Sequence, residues 1–241
     1  MRIAVLSDVH GFNLALEAVL ADFDQHGPYD EVIAAGDHCT VGPAPAEALD
    51  RFVERGFTLL MGNTDLALVE GAESNSSDPE VVYGIEQLGQ ERLKLLAMLP
   101  FSRRITPPGG VSPDDDLLVV HGTPHSLVDR FDPDWSNDAL LQIIGPTRAG
   151  AIAFGHYHVC FIRQLDDTLL VDVSAVGNSK DGDLRSKYGI LTWDESIKAW
   201  SAEIRKIPYP LAETETQIRQ RNVPDAEKVI KRLRRARYKN A

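Results

Sequence analysis

The sequence predicts an α/β domain whose first half alternates strand and helix and whose second half turns largely antiparallel. Three observations carry this. Short apolar runs alternate with helix-like stretches over about the first hundred residues, as in a parallel sheet covered on both faces. Beyond residue 160, strand-like runs follow one another across short turns. The chain has 241 residues and 43% hydrophobic content, enough for one substantial domain with a buried core.

The elements follow in order. "RIAVLS" (2–7) reads as a buried strand, and 14–24 as a helix with Asn13 as its N-cap. "EVIAAG" (31–36) is a second strand, and 45–56 a helix that Gly56 ends. "FTLLMG" (57–62) is a third strand, followed by a helical pair near 64–72 and 84–98 that Pro100 stops. The stretch 106–116 reads as a mobile loop. "DLLVVHG" (116–122) and "AIAFGHYH" (151–158) are buried strands with a helix near 137–144 between them. "CFIRQL", "TLLVDVS", "YGILTWD" and "KAWSAEIRKI" then read as four strands, the first two joined by a hairpin. Ala226, Val229, Ile230 and Leu233 fall at helical spacing near the end. The expected organisation is one domain over 1–207 with a helical extension, 208–241, packed on it.

Charge and cysteine usage narrow the function classes. The net charge is −11, and the one basic stretch is 228–239, "KVIKRLRRARYK", with seven Lys or Arg. Without it the chain holds 18 basic against 36 acidic residues, a net charge of −18. A duplex nucleic-acid binder shows the opposite balance, so the basic run reads as a solvated helix face and no nucleic-acid partner is expected. No apolar run can span a bilayer, and the N-terminal one is too short for a signal peptide, so no membrane partner is expected. Two cysteines, Cys39 and Cys160, make no disulfide framework, and a cytoplasmic location is the expectation. A homo-oligomer stays open.

The polar residues directly after the apolar strands carry the functional signal. Asp8 and His10 follow the first strand, Asp37 the second, Asn63 and Asp65 the third, His121 the fourth, and His156 and His158 the fifth. Ligands of open α/β sheets bind beyond the carboxyl ends of strands. An Asp after a strand is commonly a turn former, and a lone His a satisfied polar group. Five successive strand ends bearing N or O donors point instead to clustered carboxylates and imidazoles, which need cations. In an extended "FGHYH", His156 and His158 would project to one face.

The ordered blocks Asp8-Val9-His10, Gly36-Asp37, Gly62-Asn63, His121-Gly122 and Gly155-His156-Tyr157-His158 resemble the calcineurin-like metallophosphoesterase family. "GDHCTVGPAPAE" and "SKDGDLRSKYGIL" are similar to its small bacterial and archaeal phosphoesterase branch. The resemblance implies a four-layer αββα sandwich of two mixed β-sheets flanked by helices, with two divalent metal ions at one edge (Mn, Fe, Zn or Ni). It implies Asp8, His10 and His158 on one metal, Asn63, His121 and His156 on the other, and Asp37 bridging them. The implied activity is metal-dependent phosphoesterase (phosphodiesterase or phosphatase) hydrolysis of small phosphodiesters or activated phosphomonoesters by a hydroxide that the dinuclear centre activates. The alternative is a scaffold of this fold that binds a partner and has little or no activity.

One departure stands out. Much of the family has a histidine after the Gly-Asn pair, thought to protonate the leaving oxygen, and here the stretch is Gly62-Asn63-Thr64-Asp65. Threonine is no general acid near pH 7, and such a group is worth about 10²–10⁴-fold in rate. His38 and His125, each close in sequence to a ligand, are the candidates to replace it. Otherwise the enzyme favours leaving groups that need little protonation, such as aryl or pyrophosphate-type oxygens. Lys180 and Arg185 are candidates for phosphate contacts.

Overall fold

Strand β1 (Arg2–Leu6) is buried from Ile3 onward, and its neighbours explain why it needs no polar face. In the computed structural model, which describes residues 1–238, β1 is the middle strand of a five-stranded sheet. It pairs parallel with β2 (Glu31–Ala34), which pairs parallel with β3 (Thr58–Leu59). On its other side it pairs antiparallel with β9 (Ser186–Asp194), and β9 with the edge strand β10 (Ala199–Ile207).

A second five-stranded sheet runs in the order β4 (Ser102–Ile105), β5 (Leu117–Val120), β6 (Ala151–Phe154), β8 (Thr168–Asp172), β7 (Phe161–Leu165). β5, β6 and β8 are parallel, while β4 and β7 are antiparallel edges. Both sheets are therefore mixed, as in the four-layer expectation. The division by sequence halves is corrected: β9 and β10 join the first sheet, and β8 is parallel to β6. The strand β4 carries no apolar pattern, with three exposed residues in "SRRI", and so left no periodic trace in the sequence.

The four layers follow from where the apolar residues go. Ile3, Val5, Ile33 and Leu60 of the first sheet side meet Leu117, Val119, Ala153 and Val171 of the second in one buried cluster between the sheets. The outer face of the first sheet is covered by α1 (Asn13–His26), α2 (Pro45–Glu54), α3 (Asn63–Ser74), α4 (Pro79–Ala97), α6 (Leu211–Gln220) and α7 (Ala226–Arg235), whose apolar sides share a second cluster. The outer face of the second sheet has α5 (Asn137–Ile144), through Leu140 and Ile144. Val229, Ile230 and Leu233 of α7 sit in the large cluster with α1 and α2, so the expected apolar stripe is buried there.

Local details correct three expectations. Phe12 caps α1 without a side-chain bond, and Asn13 is its first helical residue. α4 starts at Pro79, where Asp78 accepts from the N–H groups of Glu80 and Val81 at 2.8 and 3.2 Å, and it kinks at Gly89, whose φ is +67°. The stretch 106–116 holds a short 3₁₀ turn, Pro113–Asp115, tied by Ser112. No helix among the described residues is long and apolar enough to cross a membrane. Lys239, the last residue of the basic run, lies outside the described residues.

Candidate metal centre

β1, β2 and β3 are parallel in one sheet and β5 and β6 in the other. The chain segments that leave them meet at one rim, which brings the seven expected ligand residues together. Asp8, His10 and His158 offer donor atoms that all lie within 4.8 Å of one another, and so do Asp37, His121 and His156. Asn63, the first residue of α3, sets its Oδ1 3.0 Å from His121 Nε2 and so joins the second group.

Asp37 faces both groups. Its Oδ2 is 3.6 Å from His10 Nε2, and its Oδ1 is 3.4 Å from His121 Nε2. The Thr64 N–H donates to the same Oδ1 at 2.9 Å, from the first turn of α3. Gly62 lies so close that a Cβ there would collide with the Asp37 N and Oδ1, and a Cβ at Gly155 would collide with Asp8 Oδ2. These glycines are required for close backbone approach.

The backbone at this rim is strained. Asp8, His10, Asp37, His156 and His158 all take left-handed conformations, with φ between 51° and 66°. Each costs about 1 kcal/mol or more for a residue with a side chain. His156 and His158 therefore do not sit in an extended strand. They converge because two left-handed turns redirect them, which sends one histidine to each group and corrects the alternating-face expectation.

Outer partners fix the imidazole tautomers. Backbone carbonyls of Asn178, Ala35 and Val128 accept from His158 Nδ1 at 2.6 Å, His121 Nδ1 at 2.9 Å and His156 Nε2 at 3.0 Å. A carbonyl only accepts, so each of these rings has its proton there and turns a lone pair inward. His10 Nδ1 is 3.1 Å from Thr40 Oγ1. The inward lone pairs of His158, His121 and His156 then face other ring nitrogens. His10 Nε2 and His158 Nε2 are 3.3 Å apart, and His121 Nε2 and His156 Nδ1 are 3.2 Å apart. The Asp8 Oδ1 is buried and accepts no hydrogen bond, although His158 Nε2 stands 3.0 Å away.

Such converging acceptors repel unless a cation lies among them. Donors held at about 2.0–2.2 Å from one ion stand roughly 2.8–3.6 Å apart in tetrahedral or octahedral geometry. Most of the separations above fall in that range, so the donor sets fit divalent cations in both number and type. Protonation agrees. Burial pushes the Asp8 and Asp37 carboxyls up, but His158 beside Asp8, and His121 and His10 beside Asp37, hold both below the usual range. Burial lowers His10 to about 4 and also lowers His156. His121 goes the other way: burial opposes its charge, but Asp37 and Asp8 raise it.

The other sequence candidates lie elsewhere. His38 is fully buried, with Nε2 2.8 Å from the Leu60 carbonyl and its ring edge-on to Phe52 at 5.4 Å. His125 is exposed, and its Nε2 is 3.0 Å from the Ile144 carbonyl at the end of α5. Asp65 is a buried brace: it accepts from the N–H groups of His38 at 2.9 Å and Gly62 at 3.1 Å. Burial raises its carboxyl. Arg185 is engaged with Asp183 at 2.6 Å, and Lys180 is buried with its ammonium on Asn178 Oδ1. The carbonyls that fix the tautomers have no side-chain signature, so no motif could have shown them.

Comparison with known proteins agrees with this geometry. Residues 1–196 match the model of the calcineurin-like phosphoesterase superfamily domain. The fold is similar to the crystal structure of a metallophosphoesterase from Sphaerobacter thermophilus, with a TM-score of 0.78, 24% identity, and 98% and 99% of the two chains covered. An uncharacterised protein of Methanocaldococcus jannaschii is 23% identical over 92% of this chain and 94% of its own length. A symmetrical bis(5'-nucleosyl)-tetraphosphatase of an Acidovorax strain is 29% identical over 62% of this chain and 51% of its own length. A match that runs through every strand bearing the rim residues leaves one assignment: the chain belongs to the calcineurin-like phosphoesterase superfamily.

Proposed function

We propose that the chain is a metal-dependent phosphohydrolase working with two divalent cations. Asp8, His10 and His158 hold one, Asn63, His121 and His156 hold the other, and Asp37 serves both. The observation that carries this is the Asp37 carboxylate, whose two oxygens address two separate donor groups. When bound, such a pair supplies a nucleophile at neutral pH and a clamp for phosphoryl oxygens. The protein's own part is to keep the carboxylates ionised, fix the lone pairs of His121, His156 and His158 inward, and hold the donors in place before substrate arrives.

No side chain in this reading protonates the leaving group. Thr64 stands where the family histidine would be, with its Oγ1 buried and unbonded, and His38 and His125 are committed to backbone carbonyls. This favours substrates whose leaving oxygen is already a weak base: aryl phosphodiesters, activated monoesters and phosphoanhydrides. The likeness to a dinucleoside tetraphosphatase supports the anhydride class.

The test is to strip the protein with chelator, restore Mn²⁺, Ni²⁺, Zn²⁺ or Mg²⁺, and compare diadenosine tetraphosphate, bis-p-nitrophenyl phosphate, p-nitrophenyl phosphate and an alkyl monoester. Metal-dependent turnover is expected, with the alkyl ester slowest by about 10²-fold or more. Absence of turnover with every ester and metal would favour a partner-binding scaffold.

A further inference from the structure

The basic C-terminal segment plays no part in the chemistry proposed above, yet its last described residues return to the metal centre. α7 ends at Arg235, and Ala236 turns the chain with a left-handed φ of 46°. The Ala236 carbonyl then accepts from Gly182 N–H at 2.7 Å, and Arg237 forms an antiparallel bridge with Asp181. Gly182 has a φ of +83°, a backbone conformation that favours glycine. Tyr238 stacks on Tyr157 at 4.9 Å with ring planes 21° apart, and its hydroxyl donates to the Tyr157 carbonyl at 2.8 Å. The Arg130 guanidinium lies 4.6 Å from the Tyr157 ring centre and completes the stack.

Both segments gripped this way set metal-facing histidines. Tyr157 is the residue between His156 and His158, and both neighbours are in strained left-handed backbone. The loop that Ala236 and Arg237 grip includes Asn178 and Lys180. The Asn178 carbonyl accepts from His158 Nδ1 at 2.6 Å, and the Lys180 N–H donates to the His158 carbonyl at 2.9 Å. Strained conformations persist only where surrounding contacts over-determine them.

We propose that Tyr238 is a positioning residue for the metal centre: by bonding and stacking on Tyr157 it holds the turn that aims His156 and His158. The inference rests on the two-metal reading above. It gives the C-terminal segment a role in metal binding rather than in contact with nucleic acid.

Calorimetric titration of Mn²⁺ into chelator-treated full-length protein tests it, alongside Tyr238→Phe and Tyr238→Ala. Tyr238→Ala is expected to weaken Mn²⁺ binding about tenfold, the lower end for partners beyond the ligands themselves. Tyr238→Phe, which keeps the stack and loses the hydroxyl bond, should fall between it and the wild type. Circular dichroism melts of the metal-free proteins separate this from general destabilisation. Wild-type affinity in both variants overturns the proposal, even if the metal-free melting temperature falls. Failure of the wild-type protein to bind any of Mn²⁺, Ni²⁺, Zn²⁺ and Mg²⁺ overturns the two-metal reading itself, and is seen before any variant is made.

Discussion

The two donor groups at the rim share Asp37 but differ in enclosure. Asp8, His10 and His158 are 0%, 4% and 7% exposed, and they come from the β1 end and the turn braced by Asn178. In the second group His121 is fully buried, but His156 is only partly so, and its outer nitrogen leans on Val128, an exposed residue. One group is enclosed by the fold, and the other is open on the His156 side. A cation bound by the enclosed group would be held by buried side chains that have little freedom to move. A cation bound by the second group would sit beside the partly exposed His156. The difference teaches that the two donor groups of one rim are enclosed to different degrees.

The largest effect should come from the residue common to both. Asp37→Ala removes the one carboxylate that addresses both groups, and kcat/KM should fall about 10³-fold or more, equivalent to about 4 kcal/mol of barrier. Elemental analysis of the same variant should show loss at both sites. Retention of one full equivalent of metal would mean that Asp37 serves only one group. Next come the two histidines of the Gly-His-Tyr-His turn. Both alanine substitutions should weaken metal binding by more than the roughly 10–100-fold typical of partners beyond the ligands, and His158→Ala by more than His156→Ala, since the first leaves buried Asp8 facing an empty position. Titration with Mn²⁺ reads both affinities. Equal losses would erase the distinction between an enclosed and an open side.

The contrast also shows what a sequence can and cannot display. Which residues gather at the rim was legible, because polar donors stand directly after strands that are otherwise apolar, and such donors have few other uses. The buried helices of the first layer were legible for the same reason, through periodic Leu, Val and Phe. How the donors are aimed was not legible. Strand alternation predicts that His156 and His158 share a face, whereas left-handed turns at both residues divide them between the groups. The braces on their rings are carbonyl oxygens, which every residue has. His38 and His125 looked available because they are close in sequence to ligands, yet each is claimed by a carbonyl that only the fold brings near. Strand β4 and the destination of β9 and β10 escaped because pairing partners are set by long-range packing, not by local pattern.

The smallest effect expected lies away from the rim, and it isolates the metal-independent part of stability. Asp22 of α1 accepts from Tyr188 Oη at 2.7 Å and from Arg205 Nη2 and Nε at 2.8 and 3.1 Å, which ties α1 to β9 and β10. Burial raises its carboxyl, but the bonds from Arg205 and Tyr188 outweigh that and hold it below the usual carboxylate range. A carboxyl with a lower pKa folded than unfolded adds stability above its unfolded value of about 3.9, and loses it as pH falls through the folded one. Asp22→Asn should therefore lower the melting temperature of chelator-treated protein at pH 7 by about 2–6 °C. The gap to wild type should narrow as pH drops below about 4, where the wild-type carboxyl takes up its proton. Mn²⁺ affinity should not change, because Asp22 touches neither donor group. A melting gap that stays constant down to low pH would show that Asp22 acts by packing rather than by charge. A change in Mn²⁺ affinity would show that the outer helical layer and the rim are coupled, so that the enclosed group owes part of its hold to contacts well outside it.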